Sequence, residues 1–79
     1  MNVAHSAEFR VTGTELLETG QLKDISEGGF LLSAVRELDP GTGLAVTLHS
    51  ASSKVVAAAW VLRCSSTPNG QYDIACAFD

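Results

Sequence analysis

Basic residues are scarce in this sequence: five lysines and arginines against nine aspartates and glutamates, a formal net charge of −4. That balance argues against DNA or an anionic membrane as the main partner, since both reward a basic face. Cysteine is sparse too, and two in 79 residues do not make a disulfide framework. No run approaches the ~18 to 20 apolar residues that cross a bilayer, so membrane insertion is not expected. The first ten residues, MNVAHSAEFR, lack the basic start and apolar stretch of a secretory signal. The default compartment is the cytoplasm. Charged residues make up only 18% of the chain and apolar ones 46%, which argues against disorder. A chain of this length fits one domain, here residues 1–79, and buries only about 60% of the surface its unfolded form exposes.

The chain is cut into short pieces by Gly13, Gly20, Gly28–Gly29, Pro40–Gly41, Gly43 and Gly70. Between them the apolar residues alternate with period two. Tyr72, Ile74, Cys76 and Phe78 point one way, Asp73, Ala75 and Ala77 the other, as in a half-buried strand. Lys54–Cys64 pairs with it as a hairpin across Thr67-Pro68-Asn69-Gly70, despite the helix-favouring Ala57-Ala58-Ala59. Leu44–His49, Phe30–Ala34, Gln21–Ser26 and Glu8–Gly13 read as four more strands, with Asp39-Pro40-Gly41 as a turn. Thr14–Thr19 fits either one helical turn or a hairpin arm. Six short strands with a turn every 8 to 12 residues point to a small all-β antiparallel barrel or sandwich. Trp60 and Phe30 are expected in its core.

The segment Asp24-Ile25-Ser26-Glu27-Gly28-Gly29 lies between two of these strands. Asp24 and Ser26, two apart on an extended backbone, share a face and offer an acceptor beside a donor–acceptor. Gly28 and Gly29 are expected to turn the chain through positive φ and let a ligand approach the backbone. The same residues also suit a strand-ending turn in which Asp24 and Ser26 satisfy nearby amides.

The run Asp24-x-Ser26-x-x-Gly29 resembles the second signature motif of PilZ domains, and further similarities follow in order. Leu38-Asp39-Pro40-Gly41, Trp60-Val61-Leu62-Arg63 and Gly70–Phe78 resemble later segments of that family, with Ala75 where a glycine is usual. The resemblance spans about 20–78. It implies a six-stranded antiparallel β-barrel of the split-barrel type with little or no helix. It also implies a non-enzymatic module that binds cyclic di-GMP and acts on motility, biofilm or secretion machinery. Asp24, Ser26 and Gly29 match the positions that contact a guanine, with Gly28 beside them. The family's Arg-x-x-x-Arg motif, which holds phosphates ahead of the first strand, has no counterpart in residues 1–7, expected to be a flexible segment. The early arginine is Arg10, inside the first strand. Arg36 and Arg63 are the late candidates for a phosphate, Arg36 on the surface that carries Asp24. The missing pair would cost roughly 1.5 to 3 kcal/mol per charge-assisted contact, a fall of about 10² to 10⁴ in affinity. The helix that usually closes the family is likewise not present before Asp79.

Two readings fit this pattern. The barrel exchanges ligand binding for contacts with a signalling or motility protein or with a second copy of itself, or it is one domain of a longer chain. No cofactor is implied. His5, His49, Cys64 and Cys76 match no zinc spacing, and the cysteines are expected to be free strand thiols. Ser26 lacks a nucleophile elbow, and neither histidine has an evident orienting partner.

Overall fold

The computed structural model describes residues 5–49 and 53–79. Six strands form along the chain: β1 (His5–Val11), β2 (Glu18–Ile25), β3 (Gly29–Ala34), β4 (Gly43–His49), β5 (Lys54–Ser66) and β6 (Tyr72–Phe78). The described residues contain no helix. All neighbouring pairs are antiparallel, and the order β1-β2-β3-β6-β5-β4 closes on itself through the β1–β4 pairing. Closure leaves no strand edge unpaired, which solves the aggregation problem of so small a sheet.

Two meanders, β1-β2-β3 and β4-β5-β6, are joined by residues 35–42. Leu38 in that connection is buried at 3% exposure and joins the core. The alternation read from the sequence fills the interior. Phe9, Leu44, Val46, Leu48, Ile74 and Cys76 are all inside, with Leu22, Phe30, Leu32 and Val61. The Phe30 and Phe78 rings meet at 5.3 Å in a tilted arrangement.

The turns follow their residues. Thr42 donates its N–H to Asp39 O at 3.1 Å, and Gly41 between them has φ +88°. Pro at the second and Gly at the third position of that turn suit type II geometry. The β5–β6 hairpin closes where Thr67 N–H meets Gln71 O at 2.8 Å, with Gly70 at φ +82°.

Several expectations change. β1 begins at His5, so residues 5–7 of the segment expected to be flexible are strand, with Ala7 buried; residues 1–4 lie outside the described residues. Thr14–Leu17 forms neither helix nor strand, and Glu18–Thr19 open β2. β5 runs to Ser66 rather than Cys64. Trp60 is not in the core: it is 39% exposed, because Ala59 and Val61 take the inward positions and Trp60 between them must face out. Ala57 and Ala59 face the interior, Ala59 in the core and Ala57 packed against it. Cys64 and Cys76 are free thiols, half-buried and buried.

Candidate functional site

Two irregularities in the ladder shape the outer surface. On β2, Leu22 pairs with Leu32 but Asp24 pairs with Leu31, so Lys23 is an extra residue. On β5, Val61 pairs with Cys76 but Arg63 pairs with Ala75, so Leu62 is extra. Each is a β-bulge that reverses the inward–outward alternation. Strict alternation from Leu22 or Val61 would turn Asp24 and Arg63 into the core. The bulges turn both outward, which removes the cost of burying two charges.

The outward positions then form one lateral row. Asp24 pairs with Leu31, Leu31 with Ala75, and Ala75 with Arg63. With strands about 4.8 Å apart, the row spans roughly 14 Å. Above it lies an open hollow of about 370 Å³. Asp24, Ser26, Gly28 and Gly29 line one side, Leu62 and Arg63 the other, and Leu31 and Ala75 the floor. This is within the size range of small-molecule sites.

The motif residues are held by their own backbone. Ile25 N–H donates to Asp24 Oδ1 at 2.9 Å. Ser26 donates to Gly29 O through its N–H at 2.8 Å and more weakly through Oγ at 3.4 Å. The strand-ending turn is therefore real. It orients the two side chains and leaves capacity for a ligand, because a carboxylate accepts about four hydrogen bonds and a hydroxyl both donates and accepts. Asp24 and Ser26 are both exposed.

The two glycines act differently from expectation. Neither has positive φ; among the described glycines that conformation belongs to Gly13, Gly41 and Gly70. At Gly29 the requirement is close approach, since a Cβ would sit 2.1 Å from Cys76 O on the adjacent strand. Gly28 has open space where a Cβ would be, and its carbonyl accepts from Phe78 N–H at 3.0 Å.

The structure separates the arginines. Arg36 does not share the Asp24 surface. It follows the far end of β3 and pairs with Glu18, at the opposite end of β2 from Asp24. Arg10 lies on β1, beside Ala45 of β4, and does not line the hollow. Arg63 does, and it forms no salt bridge with the described residues. Its signal in the sequence was a charge at the inward parity of an apolar strand, two residues after Val61.

Elsewhere, His49 has a partner that the sequence did not reveal, with Nε2 3.1 Å from Glu8 Oε1 across the β1–β4 pair. No group of three or more metal-ligating side chains occurs among the described residues. Burial, and then the neighbouring Cys64, push the Cys76 thiol up to about 11 from its ordinary 9.0, so it is a poor nucleophile. Among the described residues no helix is long and apolar enough to cross a membrane.

The family model for the PilZ domain matches residues 1–79. The chain belongs to the PilZ domain family. PilZ domains are regulatory binding modules. The fold is similar to that in the structure of K. pneumonia MrkH in its apo state, at a TM-score of 0.77 and 21% sequence identity. That likeness covers 99% of this chain and 38% of MrkH, so the PilZ domain here spans well under half the length of that protein. No curated protein matches the sequence.

Proposed function

We propose that this PilZ domain is a regulatory module of cyclic di-GMP-linked signalling whose outer hollow takes a guanine edge of the nucleotide. Asp24 accepts from the base's ring N–H and amino group, and Ser26 completes the polar edge. Gly28, with open space where a Cβ would be, leaves the backbone open to the ring, and Gly29 lets β3 lie close against β6 beneath it. The observation that carries this reading is the placement of Asp24, Ser26, Gly28 and Gly29 along one side of the same hollow. The output is control of motility, biofilm or secretion through a protein partner, in the cytoplasm.

Isothermal titration with cyclic di-GMP tests it. Saturable binding is expected, and Asp24→Ala and Ser26→Ala should each weaken it about tenfold or more, about 1.4 kcal/mol. Unchanged affinity in both variants would move the site elsewhere.

A second reading, a protein-interaction module without nucleotide, is favoured by one observation. Val56, Trp60 and Leu62 expose apolar surface on the outside of β5, at 72%, 39% and 52%. Such a stripe suits a partner protein or a second copy. Sedimentation velocity across a concentration series checks the latter, with self-association weakened by Val56→Lys.

A further inference from the structure

Five lysines and arginines are all the permanent positive charge in the chain. Lys23 lies 3.3 Å from Asp73, and Arg36 pairs with Glu18. Arg10 is on β1, and Lys54 opens β5 at the end that pairs with His49. Arg63 alone among them lines the hollow. It is exposed, and it stands in the same outward row as Asp24, with the Leu31 and Ala75 side chains between.

This arrangement is polarised. At one end a carboxylate and a hydroxyl present acceptors to a base edge. At the other a guanidinium presents a planar fork of donors suited to phosphate oxygens. The floor between is apolar, with Leu31 beside the single methyl group of Ala75. An anion in an acidic protein needs a local cation, and the Leu62 bulge is what places one here.

We infer that Arg63 is the phosphate-contacting residue of this hollow, so that its ligand is a guanine nucleotide laid along the Asp24–Arg63 row, base at Asp24 and phosphodiester at Arg63. The inference rests on the proposed guanine site and adds the ligand's direction and its anionic end. It gives a barrel with no arginine in residues 1–7 a cation for the phosphate.

The test compares two probes, cyclic di-GMP and the uncharged nucleoside guanosine, by NMR titration of the 79-residue chain. The variants are Arg63→Gln, Arg63→Lys, Arg36→Gln and Asp24→Ala, each first checked for unchanged strand signals. Arg63→Gln is expected to weaken cyclic di-GMP by about 10- to 100-fold, and leave guanosine unchanged. Arg63→Lys should recover part of the loss. Raising salt should weaken cyclic di-GMP for the wild type far more than for Arg63→Gln. Arg36→Gln should match the wild type with both probes. If Arg63→Gln binds cyclic di-GMP as the wild type does while Asp24→Ala does not, the role of Arg63 is overturned and the guanine site stands. Equal loss of both probes in Arg63→Gln would also overturn it, showing a structural effect. If the wild type binds neither probe, the guanine site fails and this inference with it.

Discussion

Asp24 and Arg63 stand at the two ends of one outward row that crosses β2, β3, β6 and β5, and each is turned outward by a β-bulge immediately before it. Without Lys23 and Leu62 as extra residues in the ladder, the pleat would alternate unbroken through both strands. The bulges let strands β2 and β5 contribute apolar residues to the core and charged residues to the hollow within two positions of each other. They are the local device by which a barrel wall becomes a polar site.

The two motif glycines should behave unequally. Gly29→Ala places a methyl group 2.1 Å from Cys76 O, and a backbone oxygen held in the β3–β6 ladder cannot easily move. We expect a loss of about 1 to 3 kcal/mol or more from overpacking. Gly28→Ala, with nothing within 4 Å, should change stability by no more than about 0.5 kcal/mol. Urea midpoints of the two variants check this.

Core truncation should be costly in a barrel this small. Leu32 and Ile74 are paired across β3 and β6 and both have zero exposure. Leu32→Ala and Ile74→Ala should each cost about 2 to 5 kcal/mol. Since one kcal/mol moves the Tm of such a domain by about 4 to 8 °C, either variant should melt more than about 8 °C lower. Calorimetry reads this directly.

Stability should fall in alkali through Cys76. Its thiol titrates at about 11 in the fold against an ordinary 9.0, because burial disfavours the thiolate and Cys64 adds repulsion. Below pH 9 both states hold the proton and its contribution is fully present. Between pH 9 and about 11 the unfolded chain releases the proton and the folded one does not, so stability drops as pH rises, by at most about 2.7 kcal/mol. Cys76→Ala should flatten that decline in denaturation curves taken at pH 8 to 11.

The two ion pairs with a solvent-exposed cation should matter little. In both Lys23–Asp73 and Arg36–Glu18 the cation lies in solvent, while the carboxylates are half-buried, Glu18 more deeply than Asp73. Lys23→Gln and Arg36→Gln should each shift stability by less than about 1 kcal/mol, measured as a denaturant midpoint.

Turn geometry offers a sharper contrast. Gly41 has open space for a Cβ but φ +88°, so the penalty of Gly41→Ala is conformational rather than steric. It should cost about 1 to 2 kcal/mol by thermal unfolding, and Gly41→Asn should cost less.

Much of this protein was legible in its residues. Alternation in Tyr72–Phe78 and Leu44–His49, with turn residues at Asp39–Gly41 and Thr67–Gly70, determined an antiparallel all-β domain and most of its core. The Asp24–Gly29 motif marked one side of the hollow. On the other side Arg63 was legible as a candidate for a phosphate but its facing was not, because register is a property of paired strands. Whether Arg63 faces in or out depends on where Leu62 sits against β6, and whether Trp60 is buried depends on which neighbours claim the interior. Arg36 shows the same limit from the other direction: its place in the chain after β3 suggested the Asp24 surface, and strand length carried it to the opposite end. Local sequence decided which segments are strands; only closure of the barrel decided which charged residues meet across it.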